Sequence, residues 1–90
     1  MNKMTNDKKM IGQNIKRYRI RQGMSQWQMA ELLWIDRSSL SAYETGKRIP
    51  DIFMLWRIAD IFGISLDILV GRTVIQKEYT VNFQEKEEAY

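Results

Sequence analysis

Side chains able to do covalent chemistry are scarce here: the 90-residue sequence holds no cysteine and no histidine. Without them there are no thiolate or imidazole nucleophile–base pairs, no usual zinc site and no neutral-pH proton shuttle. Disulfides are excluded as well. Carboxylates, lysines, tyrosines and serines remain, but no spacing among them proposes a catalytic site, a metal site or a cofactor cradle. An enzyme is therefore not expected. The abundant reactive groups are cations, and they are unevenly placed. Residues 1–50 carry ten Lys/Arg against four Asp/Glu, a balance of +6, whereas residues 51–90 carry four against seven, a balance of −3, which together give the overall +3. A basic front half joined to an acidic rear fits a domain with one side turned to a polyanion, and fits a merely solvated basic face equally well.

The elements that must position these cations are short. A chain of this length buries one hydrophobic core, and 44% apolar residues suffice for it. No stretch approaches the roughly 20 apolar residues of a membrane span. Met1–Lys9 is polar, lacks a signal-peptide core and reads as a flexible N-terminal arm (1–9), so a cytoplasmic location is expected. Asn6 or Asp7 is available to cap the helix that follows. From Met10 to Gln22, the apolar residues Ile11, Ile15 and Tyr18 form one stripe, and Gly23 ends that helix. Ser25 and Gln28 fit a capping box that opens a second helix, whose buried face is Met29, Ala30 and Leu33. The chain must turn near Trp34-Ile35, because Asp36 is a fresh N-cap for Arg37–Glu44, which Gly46 closes. Lys47-Arg48-Ile49-Pro50 is a basic loop that proline bars from continuing the helix. Asp51 caps a fourth helix with the stripe Ile52, Leu55, Ile58, Ala59 and Phe62, stopped by Gly63. Ser65 starts a short fifth one, Leu66–Val70, ended by Gly71.

The last part changes character. Within 73–83, Ile75, Tyr79, Val81 and Phe83 fall on odd positions with mostly polar residues between, the pattern of a strand with one buried face. Residues 84–90 form an acidic tail. The expected organisation is thus an arm, a domain over 10–71 and a C-terminal extension over 72–90.

Two short helices sharing a tight turn make helix-turn-helix geometry, in which the second helix can enter a major groove while the first crosses the phosphate backbone. The residues sharpen this. Ile11-Gly12-Gln13-Asn14-Ile15, Gly23-Met24-Ser25-Gln26, Ala30-Glu31-Leu32-Leu33, Arg37-Ser38-Ser39-Leu40-Ser41, Tyr43-Glu44-Thr45-Gly46-Lys47-Arg48-Ile49-Pro50 and Ala59-Asp60-Ile61-Phe62-Gly63-Ile64-Ser65-Leu66 stand in order. Together they resemble the phage-repressor family of helix-turn-helix domains, the Cro-repressor or XRE type, across residues 10–71. The resemblance implies an all-α, five-helix, lambda-repressor-like DNA-binding domain. It also implies roles. Gln26 and the free N–H groups at its helix start would hold a phosphate. Arg37, Ser38, Ser39, Ser41 and Ala42 match the groove-facing part of the recognition helix, with Arg37 able to take a guanine edge or a phosphate and Ser39 alternatively facing the core. Thr45, Lys47 and Arg48 match the loop along the backbone. Arg19 and Glu44 match positions that pair between the first and third helices, with Arg19 also turned toward a phosphate, and Asn14 is a further phosphate candidate.

The sequence departs from the family at three places. Trp34 stands where glycine is usual in the turn, and a positive φ there would strain a bulky residue. Ala42 leaves one base-reading position nearly silent. Trp27 and Trp34, seven apart, together with Phe53 and Trp56, add apolar surface that suits either docking of the 73–83 strand or self-association. The expected function is a sequence-specific double-stranded-DNA-binding transcriptional regulator, a repressor acting as a homodimer on an inverted repeat, with no cofactor, small ligand or membrane partner. The alternative is a protein-interaction module, an antitoxin-like partner that uses the tryptophan surface and the C-terminal strand.

Overall fold

A computed structural model describes residues 3–72, with side chains described from Lys8 onward. Over these residues the chain is all-helical: α1 is Lys3–Arg21, α2 Gln26–Leu33, α3 Arg37–Glu44, α4 Ile52–Phe62 and α5 Leu66–Leu69. The strand expected over 73–83, with Ile75, Tyr79, Val81 and Phe83, lies outside the described residues, as does the acidic tail. The arm is a correction. The backbone of residues 3–9 is helical and continuous with α1, so Asn6 and Asp7 lie inside the helix instead of ahead of it. Nothing in that stretch stops a helix, since it has neither glycine nor proline and lysine is a good helix former.

Three helix starts follow from local side-chain chemistry, each satisfying one of the N–H groups a helix leaves unpaired at its beginning. Ser25 and Gln28 form the reciprocal capping box, with Gln28 N–H donating to Ser25 Oγ (3.1 Å) and Ser25 N–H to Gln28 Oε1 (2.8 Å). Asp51 accepts from Met54 N–H (2.8 Å) and Ser65 from Ile68 N–H (3.1 Å). Asp36 holds the N-cap position of α3 but makes no side-chain capping bond.

All five helices stop in the same way. Each ends at a residue of positive φ, namely Gly23, Trp34, Gly46, Gly63 and Gly71. The next N–H then reaches back five residues, as from Ile35 to the Ala30 carbonyl (3.0 Å) and from Ile64 to Ala59 (3.1 Å). This Schellman arrangement satisfies the carbonyls left open at a helix end and favours glycine, which has no Cβ to clash. Trp34 adopts it at φ 60°, ψ 41°, the left-handed conformation that the sequence flagged as costly. Its indole is 88% exposed, so packing offsets little of that cost.

The core is built from one face of each helix: Ile15 from α1; Met29, Ala30 and Leu33 from α2; Leu40 and Tyr43 from α3; Leu55, Ile58, Ala59 and Phe62 from α4; and Leu69 from α5. Tyr18 stacks on Phe62 with ring centroids 5.6 Å apart. Ile52, expected on the buried stripe of α4, is 56% exposed. It sits in the first turn, at the rim of the arc defined by Leu55, Ile58, Ala59 and Phe62. α5 ends at Leu69, with Val70 as its C-cap.

Trp34→Gly should leave stability unchanged or raise it by up to about 1.5 kcal/mol. A left-handed non-glycine residue costs roughly 1–2 kcal/mol, and the added freedom of glycine in the unfolded chain returns about 0.4–1 kcal/mol of that relief. Urea unfolding followed by far-UV circular dichroism checks this. A clear loss of stability would mean that the indole contributes packing the exposed ring does not suggest.

Candidate nucleic-acid interface

The candidate interface is organised from behind, by charge buried between α1 and α3. Gly12 allows the contact: a Cβ there would lie 2.6 Å from the Glu44 carbonyl oxygen and would collide with that of Tyr43 as well. About two helical turns further along α1, Arg19 meets Glu44. Its Nε donates to Glu44 Oε2 (2.6 Å), its Nη2 to Oε1 (3.2 Å), and its Nη1 to the Met24 carbonyl (2.8 Å). The Glu44 side chain is 2% exposed. Paired and hydrogen-bonded on both partners, these two charges meet the conditions under which burial is tolerable.

The same carboxylate reaches the front of the molecule. Gln26, the first residue of α2, donates from Nε2 to Glu44 Oε1 (2.9 Å) and accepts at Oε1 from Arg37 Nη1 (3.1 Å). Because an ionised carboxylate only accepts, the Gln26 amide is oriented with its oxygen toward Arg37. The Arg37 guanidinium also lies over the Trp27 ring, 5.4 Å from its centroid. A hollow of about 630 Å³ between α2 and the start of α3 is lined by Trp27, Gln28, Glu31, Asp36, Arg37 and Ser38 among others.

Along α3, Ser38 is exposed and Ser39, Ser41 and Ala42 are half-buried, so the helix presents short side chains beyond Arg37. Thr45 Oγ1 donates back to the Ser41 carbonyl (2.9 Å), with Ala42 O at 3.3 Å. Lys47 and Arg48 are exposed in the following loop, and Arg48 lies over the Tyr43 ring, 5.6 Å from its centroid. The structure therefore brings Gln26, Arg37, Ser38, Ser41, Ala42, Thr45, Lys47 and Arg48 onto α2, α3 and the loop after it.

Two candidates are placed elsewhere. Asn14 is buried, and its Nδ2 donates to the Leu69 carbonyl (3.0 Å), closing the end of α5. Arg19 is 8% exposed and bonded at Nε, Nη1 and Nη2, so it acts in the ion pair and not as a surface cation. The helical spacing that joined Trp27 to Trp34 also fails, because α2 ends at Leu33 and Trp34 turns away in the left-handed conformation. The two contacts that sequence reasoning missed, Gln26–Arg37 and Trp27–Arg37, each cross the α2–α3 turn. The only signal for them was a tryptophan following the capping serine closely and an arginine opening the next helix.

Glu44→Ala should cost about 3–5 kcal/mol, because it leaves Arg19 buried without a counter-charge. Replacing both partners (Arg19→Met with Glu44→Leu) should recover much of that. Chemical unfolding by circular dichroism measures both. A loss below about 1 kcal/mol in the single variant would show that the pair organises nothing.

Comparison with known proteins places these features. A helix-turn-helix family model (HTH_3) matches residues 15–69. The SPbeta prophage-derived uncharacterized HTH-type transcriptional regulator YonR of Bacillus subtilis is 39% identical over 67 residues, covering 74% of this chain and 62% of that protein. The immunity repressor protein of Bacillus phage phi105 is 32% identical over 78 residues, 87% of this chain and 54% of the repressor. The chain thus spans less than two thirds of the length of these curated relatives. Among solved structures, the restriction-modification controller protein C.AhdI from Aeromonas hydrophila superposes with a TM-score of 0.66 at 28% identity, covering 71% of this chain and 97% of that one. A transcriptional regulator from Listeria innocua gives a TM-score of 0.69 at 29% identity, covering 88% and 72%. The Arg19–Glu44 pair, the α2–α3 turn and the loop cations all fall inside the matched stretch, and the chain belongs to the helix-turn-helix family of the XRE type, a family of DNA-binding transcription regulators and not of enzymes.

Proposed function

We propose that the protein is a sequence-specific regulator of transcription that inserts α3 into the major groove of double-stranded DNA and represses by occupying an inverted-repeat operator as a homodimer. The observation that carries this reading is Arg37, half-buried at the start of α3, held by Gln26 and followed by Ser38, Ser41 and Ala42. An arginine with free donors can bond a guanine edge bidentately, and short side chains let the helix backbone approach the bases. Lys47 and Arg48 then fall where the flanking phosphates would run, and the unpaired N–H groups at the start of α2 suit a phosphate on the other side. The relatedness to a phage immunity repressor supports repression. Among the described residues, no helix is long and apolar enough to cross a membrane.

A dimer is supported by α4, where Ile52, Phe53 and Trp56 are 56%, 71% and 57% exposed and the first two each stand one helical turn from Trp56. Apolar side chains grouped in this way are suited to burial against a second copy. A single module of this size covers little DNA, whereas two combine their affinities and fix the half-site spacing.

Selection from random duplex DNA should enrich a palindrome with half-sites about one helical turn apart. Arg37→Ala should relax or abolish that preference. Lys47→Ala or Arg48→Ala should weaken binding evenly across sequences and lower the salt-dependence slope by about 1 each. Weak, salt-sensitive binding with no enriched sequence would leave the basic side as a plain electrostatic surface.

Sedimentation of a Phe53→Lys, Trp56→Lys variant addresses the dimer. The variant is expected to be monomeric and to lose the paired half-sites while keeping its helical circular dichroism. An unchanged dimer would move the two-fold contact away from α4.

A further inference from the structure

Arg37 is restrained in two directions at once. In the plane of the guanidinium, Nη1 donates to Gln26 Oε1 at 3.1 Å, and Gln26 is itself locked by its bond to Glu44. The guanidinium carbon also lies over the Trp27 ring, 5.4 Å from its centroid. Trp27 is 70% exposed and belongs to no core cluster, so its position does not follow from packing of the domain. Indole is the best of the aromatic faces for holding a cation, and arginine stacks on it flat. Gln26 and Trp27 thus restrain the guanidinium from two sides, and no hydrogen bond occupies its other donors among the described residues.

The surroundings bear on what those donors would meet. Glu31 and Asp36 line the same hollow as Arg37 and Trp27. Two acidic residues lining the hollow oppose a phosphate there, which carries full negative charge, far more than they oppose a base edge, which carries none. A guanidinium already restrained in position favours bidentate pairing with guanine N7 and O6, because both bonds must lie in the base plane.

We propose that Trp27 is a specificity-determining residue of the DNA interface, positioning the Arg37 guanidinium on its ring so that it reads a guanine edge in the major groove instead of clamping a phosphate. This rests on the DNA-reading function proposed above. Trp27 acts through Arg37 and is a positioning residue, so its removal loosens the choice of base more than it loosens binding.

The experiment compares the intact protein with Trp27→Ala, Trp27→Phe, Arg37→Ala and the Trp27→Ala, Arg37→Ala pair, all on operators selected by the intact protein. Each operator is then varied one base pair at a time. The position whose preference disappears in Arg37→Ala is the one Arg37 reads. There, Trp27→Ala is expected to reduce discrimination for guanine by roughly 3- to 10-fold, with affinity for non-specific duplex changed less than about 2-fold. Trp27→Phe should restore most of the loss, and Trp27→Ala should have no further effect once Arg37 is gone. An even loss over all sequences, or full discrimination in Trp27→Ala, would overturn the inference while leaving the DNA-reading function standing. If the intact protein selected no sequence at all, the function and the inference would fall together. Circular dichroism of each variant confirms that the comparison is made on folded protein.

Discussion

Burying the Arg19 guanidinium against the Glu44 carboxylate takes two charges out of water, and the domain is arranged around making that tolerable. The missing Cβ of Gly12 brings α1 close enough to α3 for the pair to form. The Met24 carbonyl accepts a further arginine donor, and Gln26 donates to a carboxylate oxygen. Each of these bonds also does something for the surface. The Met24 bond holds the link into α2, and the Gln26 bond aims an amide oxygen at Arg37. A pair of charges is a poor source of net stability compared with well-packed apolar residues. What it supplies here is registration, since α1, α2 and α3 can satisfy the same carboxylate in only one mutual arrangement.

The helix ends work by the opposite logic, with every decision local. One kind of stop is used five times, and a positive φ with a five-residue backward hydrogen bond reverses the chain within few residues. Short, rigid connections let helices as brief as α2 and α3 hold their angle even though isolated helices of that length would be marginal. The departure from this economy is Trp34, which adopts a backbone conformation suited to glycine and leaves its ring in solvent.

That division between local and distant decisions also governs what the sequence makes legible. The starts of α2 and α4 and the stops of α3 and α4 could be read from Ser25, Gln28, Asp51 and the glycines, because the chemistry lies within five residues of each end. The strain at Trp34 could be anticipated for the same reason. The burial of Asn14 could not, since its partner is the Leu69 carbonyl, 55 residues away. The Arg19–Glu44 pair came into view through family resemblance, whereas the bonds that carry it forward to Gln26 and Arg37 depend on the angle between two helices, which no periodicity encodes. The early start of α1 was missed because Asn6 and Asp7 offered caps for a later start, and only the absence of a breaker spoke for an earlier one.

All three tryptophans of the chain lie at the surface: Trp27 is 70% exposed, Trp34 88% and Trp56 57%. Indole emission responds to the polarity around the ring, so the native protein should already fluoresce much as its unfolded chain does. The intrinsic signal is nearly blind to folding and is reserved for events at the outside of the molecule. The three rings stand at three separate places, beside Arg37, in the α2–α3 turn and on α4, so the protein carries its own optical reporters of what approaches each.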